Sequence, residues 1–259
     1  MRRVAPKVFL VGETQINRAA VDAYLQHIGA PGWTSDAPSD GEELSEFMGR
    51  LCYRSWKPGM NANVTKVREG NDTYLSNILD VKHGSVLEHA VTNWVFADVS
   101  RVFTHELVRH RAGAAYSQES LRFVRLTDLG LWLPPEANSD PELVALFEEK
   151  FKTLEELQVR MAEHLGLDDE GKKFKEKKVL TSMMRRLAPL GLATTIGASF
   201  NFRALRHVIE MRTAESAESE IRLVFGVVAE IAKARWPNVF ADFERDKSGA
   251  WLPPTHRKV

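Results

Sequence analysis

The chain predicts an α+β fold: a central, twisted, mostly antiparallel sheet flanked by helices, with a long C-terminal helix, in one domain over residues 1–259. HAVTNWVFADVS (89–100) alternates with the period of two that a strand requires. From about 203 to 235, Val208, Met211, Val224, Val227, Val228 and Ile231 recur near helical spacing. No composition shift marks a linker, so a single domain is expected.

KVFLVG (7–12) is an apolar run closed by glycine, and AAVDAYLQHIG (19–29) has helical spacing up to a C-cap glycine. Residues 30–41 are rich in turn formers. A helix is expected over 42–55 with Met48, Leu51 and Cys52 on its inner side, which makes Cys52 a buried structural thiol. KPGMNANVTKVREGND (57–72) reads as loop, and the stretch after it as helix until His83-Gly84 interrupts. In the strand over 89–100, Val91, Asn93, Val95, Ala97 and Val99 share one face and Trp94 and Phe96 the other, both faces being largely covered. Ser100 then caps a helix through VFTHELVRHR that stops near Gly113. LWLPPEANSD is a proline-rich exit before a charged helix from about 141 to 166. DDEGKKFKEKK (168–178) is a solvated connection or helix end, 179–200 mixes strand and helix character, and the last long helix stops before Pro237.

Composition removes several classes of function. Hydrophobic content of 44% and charged content of 27% are those of a globular protein. Thirty-five basic residues balance 35 acidic ones, which removes the global electrostatic case for nucleic-acid or anionic-membrane binding. No apolar run approaches the ~20 residues that span a bilayer. The N-terminal MRRVAPKVFLVGETQ reads as a first strand and not as a signal peptide, and one cysteine excludes an intrachain disulfide; a cytoplasmic location follows as the expectation.

RHRAGAAYSQESLRF (109–123) is the most specific stretch. On a helix through 101–112, Glu106 lies one turn from Arg109 and His110, with Val102 and Phe103 as anchors. Past Ala112-Gly113, Ser117, Gln118, Ser120 and Arg122 offer hydroxyl, amide and guanidinium groups on an expected loop, and small residues at 112–115 admit a planar ligand. Such a helix end suits a phosphorylated or heteroaromatic ligand; a surface helix laced with salt bridges fits the same residues.

Arg109-His110-Arg111, a spacer, then Ser120, Leu121, Arg122 and Phe123 resembles the signature of flavin-dependent thymidylate synthases, with a spacer of eight residues where seven is usual and Phe123 in place of the commoner tyrosine. HGSVLEH (83–89) is similar to that family's His-Gly-Ser/Thr segment, and FNFRALRHVIEMRTAESAESEIR (200–222) to its C-terminal helix. The three blocks occur in the family's order over roughly residues 83 to 245.

The resemblance implies methylation of dUMP with methylenetetrahydrofolate as carbon donor, FAD as hydride carrier and NADPH as reductant, in a homotetramer. It places Ser120 beside the base as the catalytic residue, with Glu106, Gln118, Glu119, Arg122, Arg185 and Arg212 on dUMP; Arg186 is the alternative to Arg185. On FAD it places His83, Ser85 and Glu88, then Arg109, His110 and Arg111, then Asn201, Arg203 and His207. Arg212, Ser216 and Ser219, at intervals of four and three, would share one polar face of the C-terminal helix. Metal ligands are not implied. Cys52 lacks any neighbouring motif that would lower its pKa, which favours flavin chemistry over thiolate attack on the uracil. A dUMP hydroxymethylase or related pyrimidine-nucleotide enzyme on the same scaffold is the alternative.

Overall fold

The structure, a computed structural model, describes residues 1–253. In chain order the elements are β1 (Arg2–Arg3), β2 (Lys7–Glu13), α1 (Arg18–His27), α2 (Asp40–Tyr53), α3 (Asn71–Asp80), a 3₁₀ turn (Gly84–Glu88), β3 (Val91–Ser100) and α4 (Arg101–Leu107). There follow β4 (Ala114–Gln118), β5 (Gly130–Leu131), α5 (Pro135–Asn138), α6 (Pro141–His164), α7 (Phe174–Met184) and a second 3₁₀ turn (Arg185–Leu187). The chain continues through β6 (Ala193–Asn201), α8 (Phe202–Thr213), α9 (Ser219–Arg235), β7 (Glu244–Arg245) and β8 (Trp251–Leu252). The main sheet has the order β2-β3-β6-β4; β1 pairs with β5 in parallel and β7 with β8 antiparallel. The sheet is mostly antiparallel, and the α+β class is as expected. Two compact units emerge among the described residues: Met1–Phe9, Val95–Arg109 and Tyr116–Ala198 form the first; Leu10–Trp94, His110–Ala115 and residues 199–253 form the second.

The first unit is built on Leu121, Leu126, Leu129, Leu131, Leu133, Phe151 and Leu192. Ser100 does cap α4, its Oγ accepting from the Phe103 N–H at 3.1 Å. The helix ends at Leu107, however, and not near Gly113. The Tyr116 hydroxyl takes the Leu107 carbonyl at 3.0 Å, an acceptor that a continuing helix would need. The spacer after Arg111 is correspondingly strand β4 over most of its length, where a loop is expected from sequence. At the end of β3, Asp98 has φ +56°, and Val99 and Ser100 are both buried. This left-handed residue breaks the period of two, so Val99 does not continue the face that Val91 opens. That face is only half covered, whereas Thr92, Trp94 and Phe96 are buried.

In the second unit, α2 inverts the expectation for its faces. Its buried side carries Glu42, Glu43, Glu46, Phe47 and Arg50, and Cys52 and Leu51 are exposed. Cys52 is therefore not a buried thiol. Specific partners make the charged face buriable: Glu46 holds Arg50 one turn along the helix at 2.6 Å, and from other segments Arg18 donates to Glu43 and the Asn238 N–H donates to Glu42 at 2.8 Å. The C-terminal helix is also two helices. Ala214 leaves helical geometry with ψ 147°, and the Glu218 carboxylate restarts α9 by accepting from the Glu220 and Ile221 N–H groups at 2.8 and 3.3 Å. Ser216 falls in this break, so Arg212, Ser216 and Ser219 do not form one helical stripe. Val208, Val224 and Val228 are core, while Met211 and Val227 are 50% and 40% exposed.

Candidate functional site

The second unit gathers most of the residues expected on flavin. Asn201 ends β6 and caps α8, its Oδ1 accepting from the Ala204 N–H at 2.8 Å, which leaves its amide N–H groups for another partner. Its backbone N–H donates to the Gly113 carbonyl at 3.0 Å, so the short segment after His110 is fastened to the start of α8. Gly113 has φ +67°, and a Cβ there would lie 2.5 Å from Asn201 Nδ2. Only glycine tolerates both conditions. The Arg212 Nε donates to His110 Nε2 at 2.7 Å, and the His110 and His207 rings meet edge-on at 5.9 Å between centroids. Arg203 Nη1 donates to Glu88 Oε1 at 2.5 Å. A Cβ on Gly84 would lie 2.8 Å from Arg203 Nε, so the 3₁₀ turn also approaches α8 closely. His83 stacks on Tyr53, Ser85 is exposed on the same turn, and Arg111 is exposed ahead of β4.

These groups suit FAD. Arg111 is a cation of the kind a pyrophosphate needs, Asn201 Nδ2 is a donor suited to the pyrimidine edge, and glycines at 84 and 113 let Arg203 and Asn201 approach the neighbouring backbone closely. Gly113→Ala is expected to destabilise the fold by roughly 2–3 kcal/mol. Gly29→Ala, also at positive φ (+75°) but in open space, should cost only about 1 kcal/mol. Urea titration of the two variants tests this, and equal losses would contradict the Gly113–Asn201 contact.

The first unit holds most of the residues expected on dUMP. Gln118 Nε2 donates to Thr104 Oγ1 at 3.0 Å, tying β4 to α4. The Glu119 N–H donates to the Thr195 carbonyl at 3.0 Å, and the Glu119 Oε2 accepts from the Thr195 N–H at 3.0 Å, so part of this carboxylate is engaged by β6. The Ser120 Oγ accepts from the Arg122 N–H at 3.4 Å. Thr181 Oγ1 donates to the Arg122 carbonyl at 2.7 Å, one turn of α7 before Arg185. Glu106 is half-buried in the last turn of α4, and because that helix stops at Leu107 it does not share a helical face with Arg109 and His110. Arg109 is exposed, in the first unit, with its N–H on the Glu106 carbonyl at 3.4 Å.

Sequence reasoning missed Arg101. Its Nη1 is buried with no hydrogen-bond partner among the described residues, and burial followed by the like charge of Arg185 pushes its pKa down. Arg101, Arg122 and Arg185 have no carboxylate partner among the described residues. Three uncompensated guanidinium groups in one unit make an anion-seeking surface. Arg185, and not Arg186, is the one whose charge bears on Arg101. The signal in the sequence was only a Ser-Arg pair at a helix start, which looks like ordinary capping.

Residues 35–238 match the family model described as thymidylate synthase complementing protein. A protein named flavin-dependent thymidylate synthase from Mycobacteroides abscessus is 38% identical over 215 residues, 82% of this chain and 83% of the relative. Another of that name, from Mycobacterium marinum, is 36% identical over 240 residues, 90% of this chain and 92% of its own length. Among solved structures, a UMP/dUMP methylase from Streptomyces cacaoi with bound 5-Br UMP superposes with a TM-score of 0.60 at 15% identity, covering 91% of this chain and 92% of that one. Thymidylate synthase X from Helicobacter pylori with FAD and dUMP gives 0.56 at 18% identity, covering 91% and 99%. At these identities the structures establish a shared fold.

Proposed function

The chain belongs to the thymidylate synthase complementing protein family, and from that we propose that it is a flavin-dependent thymidylate synthase converting dUMP to dTMP with methylenetetrahydrofolate, FAD and NADPH. The overall change transfers a methylene group to C5 of the uracil, releases the C5 proton, and adds two electrons that originate on NADPH. FAD, when bound, supplies the hydride. We read residues 1–259 as one catalytic domain, because the family model runs through segments of both units.

The observation that carries this reading is Arg212 Nε on His110 Nε2 at 2.7 Å. It links an arginine expected on the nucleotide to a histidine expected on the flavin. Arg212 is assigned to the uracil, its guanidinium held in place through Nε on His110, and Arg122 and Arg185 supply positive charge for the phosphate. Each charge pair at about 4 Å gains roughly 4 kcal/mol at an effective dielectric near 20. Gln118, Glu119 and Glu106 frame the base around Ser120, whose hydroxyl polarises it. His83, Ser85, Glu88, Arg109, Arg111, Asn201, Arg203 and His207 complete the flavin set.

Incubating the purified protein with dUMP, methylenetetrahydrofolate, FAD and NADPH should yield dTMP. Formation of 5-hydroxymethyl-dUMP instead would assign the hydroxymethylase activity, and absence of flavin absorbance after FAD loading would leave only a nucleotide-binding protein. Ser120→Ala should cut turnover by about 10²-fold, the scale for losing one polarising hydroxyl, with the flavin still bound. Undiminished turnover removes Ser120 from the site.

A homotetramer in the cytoplasm completes the proposal. Exposed apolar residues on α8 and α9 (Met211 at 50%, Leu223 at 48%, Val227 at 40%) support subunit contacts, and the lone unpaired Cys52 supports a reducing compartment. Among the described residues no helix is long and apolar enough to cross a membrane. Small molecules, with no nucleic acid, are the proposed partners.

A further inference from the structure

A cavity of about 420 Å³ opens among α2, α3 and the loop that joins them, entirely within the second unit. Of the residues placed above on substrate or flavin, only His83 lines it. One wall is the Tyr53–His83 pair, with ring planes 11° apart, centroids 6.0 Å apart and Tyr53 Oη 3.3 Å from His83 Nδ1. Tyr53 remains 48% exposed, so its ring is open to a further flat group. The loop contributes Lys66 and Arg68, two residues apart and exposed, and neither has a carboxylate partner among the described residues.

Arg50 also lines the cavity, but Glu46 already neutralises it at 2.6 Å. Its remaining donors hold the loop: Nη1 on the Ser55 carbonyl and Nη2 on the Arg68 carbonyl, each at 2.8 Å. Arg50 is 3% exposed, so the loop is fixed near both ends from inside the fold. Arg68 is thus presented from an anchored backbone. Preorganisation of this kind lowers the ordering cost of binding an anion.

An open aromatic face beside two uncompensated cations is recognition chemistry for a phosphorylated purine nucleoside. The volume is within the range of small-molecule sites and suits one half of a dinucleotide. We propose that this cavity takes the adenosine 2′-phosphate half of NADPH, with the phosphate at Lys66 and Arg68 and the adenine against Tyr53. The dinucleotide then runs past His83 toward the flavin. This rests on the proposed function and on His83 as a flavin contact. A folate glutamate tail shares the anionic chemistry, so the test separates the two sources.

The experiment uses the FAD-loaded enzyme, anaerobically, following bleaching of the flavin by NADPH or NADH. In the double variant Lys66→Ala/Arg68→Ala, the preference for NADPH over NADH should fall roughly tenfold or more, the scale of losing charge-assisted contacts to one phosphate. NADH, lacking the 2′-phosphate, is the internal reference and also reports folding. A retained preference overturns the proposal. In a second arm the flavin is reduced by dithionite and dTMP formation is followed against methylenetetrahydrofolate concentration. A raised KM for the folate there, with coenzyme preference intact, assigns the cavity to folate and also overturns it. A wild-type enzyme that holds FAD but is not reduced by NADPH refutes the underlying function instead.

Discussion

Arg212→Ala is expected to reduce dTMP formation below detection and to weaken dUMP binding by about 10- to 100-fold, while most of the FAD is retained. The magnitude follows from the loss of charge-assisted hydrogen bonds, roughly 1.5–3 kcal/mol. Arg212 is half-buried in the last turn of α8, so its charge is screened less than that of a surface arginine. Its Nε donates to His110 Nε2 at 2.7 Å, which fixes the plane of the guanidinium. Arg212→Lys keeps the charge but offers a point donor that cannot serve His110 and a uracil edge together, so partial recovery of dUMP affinity with poor turnover is expected. Separate titrations of FAD and dUMP decide the matter. Equal loss of both ligands would place Arg212 on the flavin, and His110→Ala should show the opposite bias, with FAD weakened more.

What could be read from the chain depended on whether the deciding partner was local. Ser100 as an N-cap, Gly29 after α1 and the alternation through Phe96 were all legible, because each is settled within a few residues. The signature around Arg109 was legible for the same reason. The end of α4 was not, since it depends on Tyr116 claiming the Leu107 carbonyl. The break between α8 and α9 hid in RTAESAES, where neither Gly nor Pro marks a stop, and the Glu218 side chain on the Glu220 and Ile221 N–H groups reveals it. Arg101 escaped because the burial of its Nη1 without a partner among the described residues, with the charge of Arg185 bearing on it, is visible only in three dimensions.

The buried face of α2 departs furthest from the sequence pattern, and it carries the largest expected stability effect. Apolar residues were expected inward, yet Glu42 is wholly buried while Cys52 is exposed. Glu42 Oε1 accepts from the Asn238 and Val239 N–H groups at 2.8 and 3.3 Å, and Oε2 accepts from the Ser39 hydroxyl at 2.7 Å. Glu42→Ala would strand two backbone donors where no other acceptor is at hand, at roughly 1–3 kcal/mol each. A loss of about 2–5 kcal/mol is therefore expected, enough to unfold much of a marginally stable protein. Glu42→Gln keeps an acceptor for both N–H groups and should fold.

The two variants also separate hydrogen bonding from charge. Burial is the largest influence on the Glu42 carboxyl and raises its pKa above the ordinary 4.5, against the lowering effect of its hydrogen bonds. A raised folded-state pKa contributes stability that is fully present below 4.5 and is lost as pH rises through the folded value. Wild-type stability should accordingly carry a component that declines with rising pH above 4.5. Glu42→Gln, which cannot ionise, should lack that component and at neutral pH be at least as stable as wild type. Chemical denaturation of both proteins between pH 4.5 and 8 measures it. If the curves stay parallel across that range, Glu42 is not held toward its neutral form, and its burial would need a compensating cation.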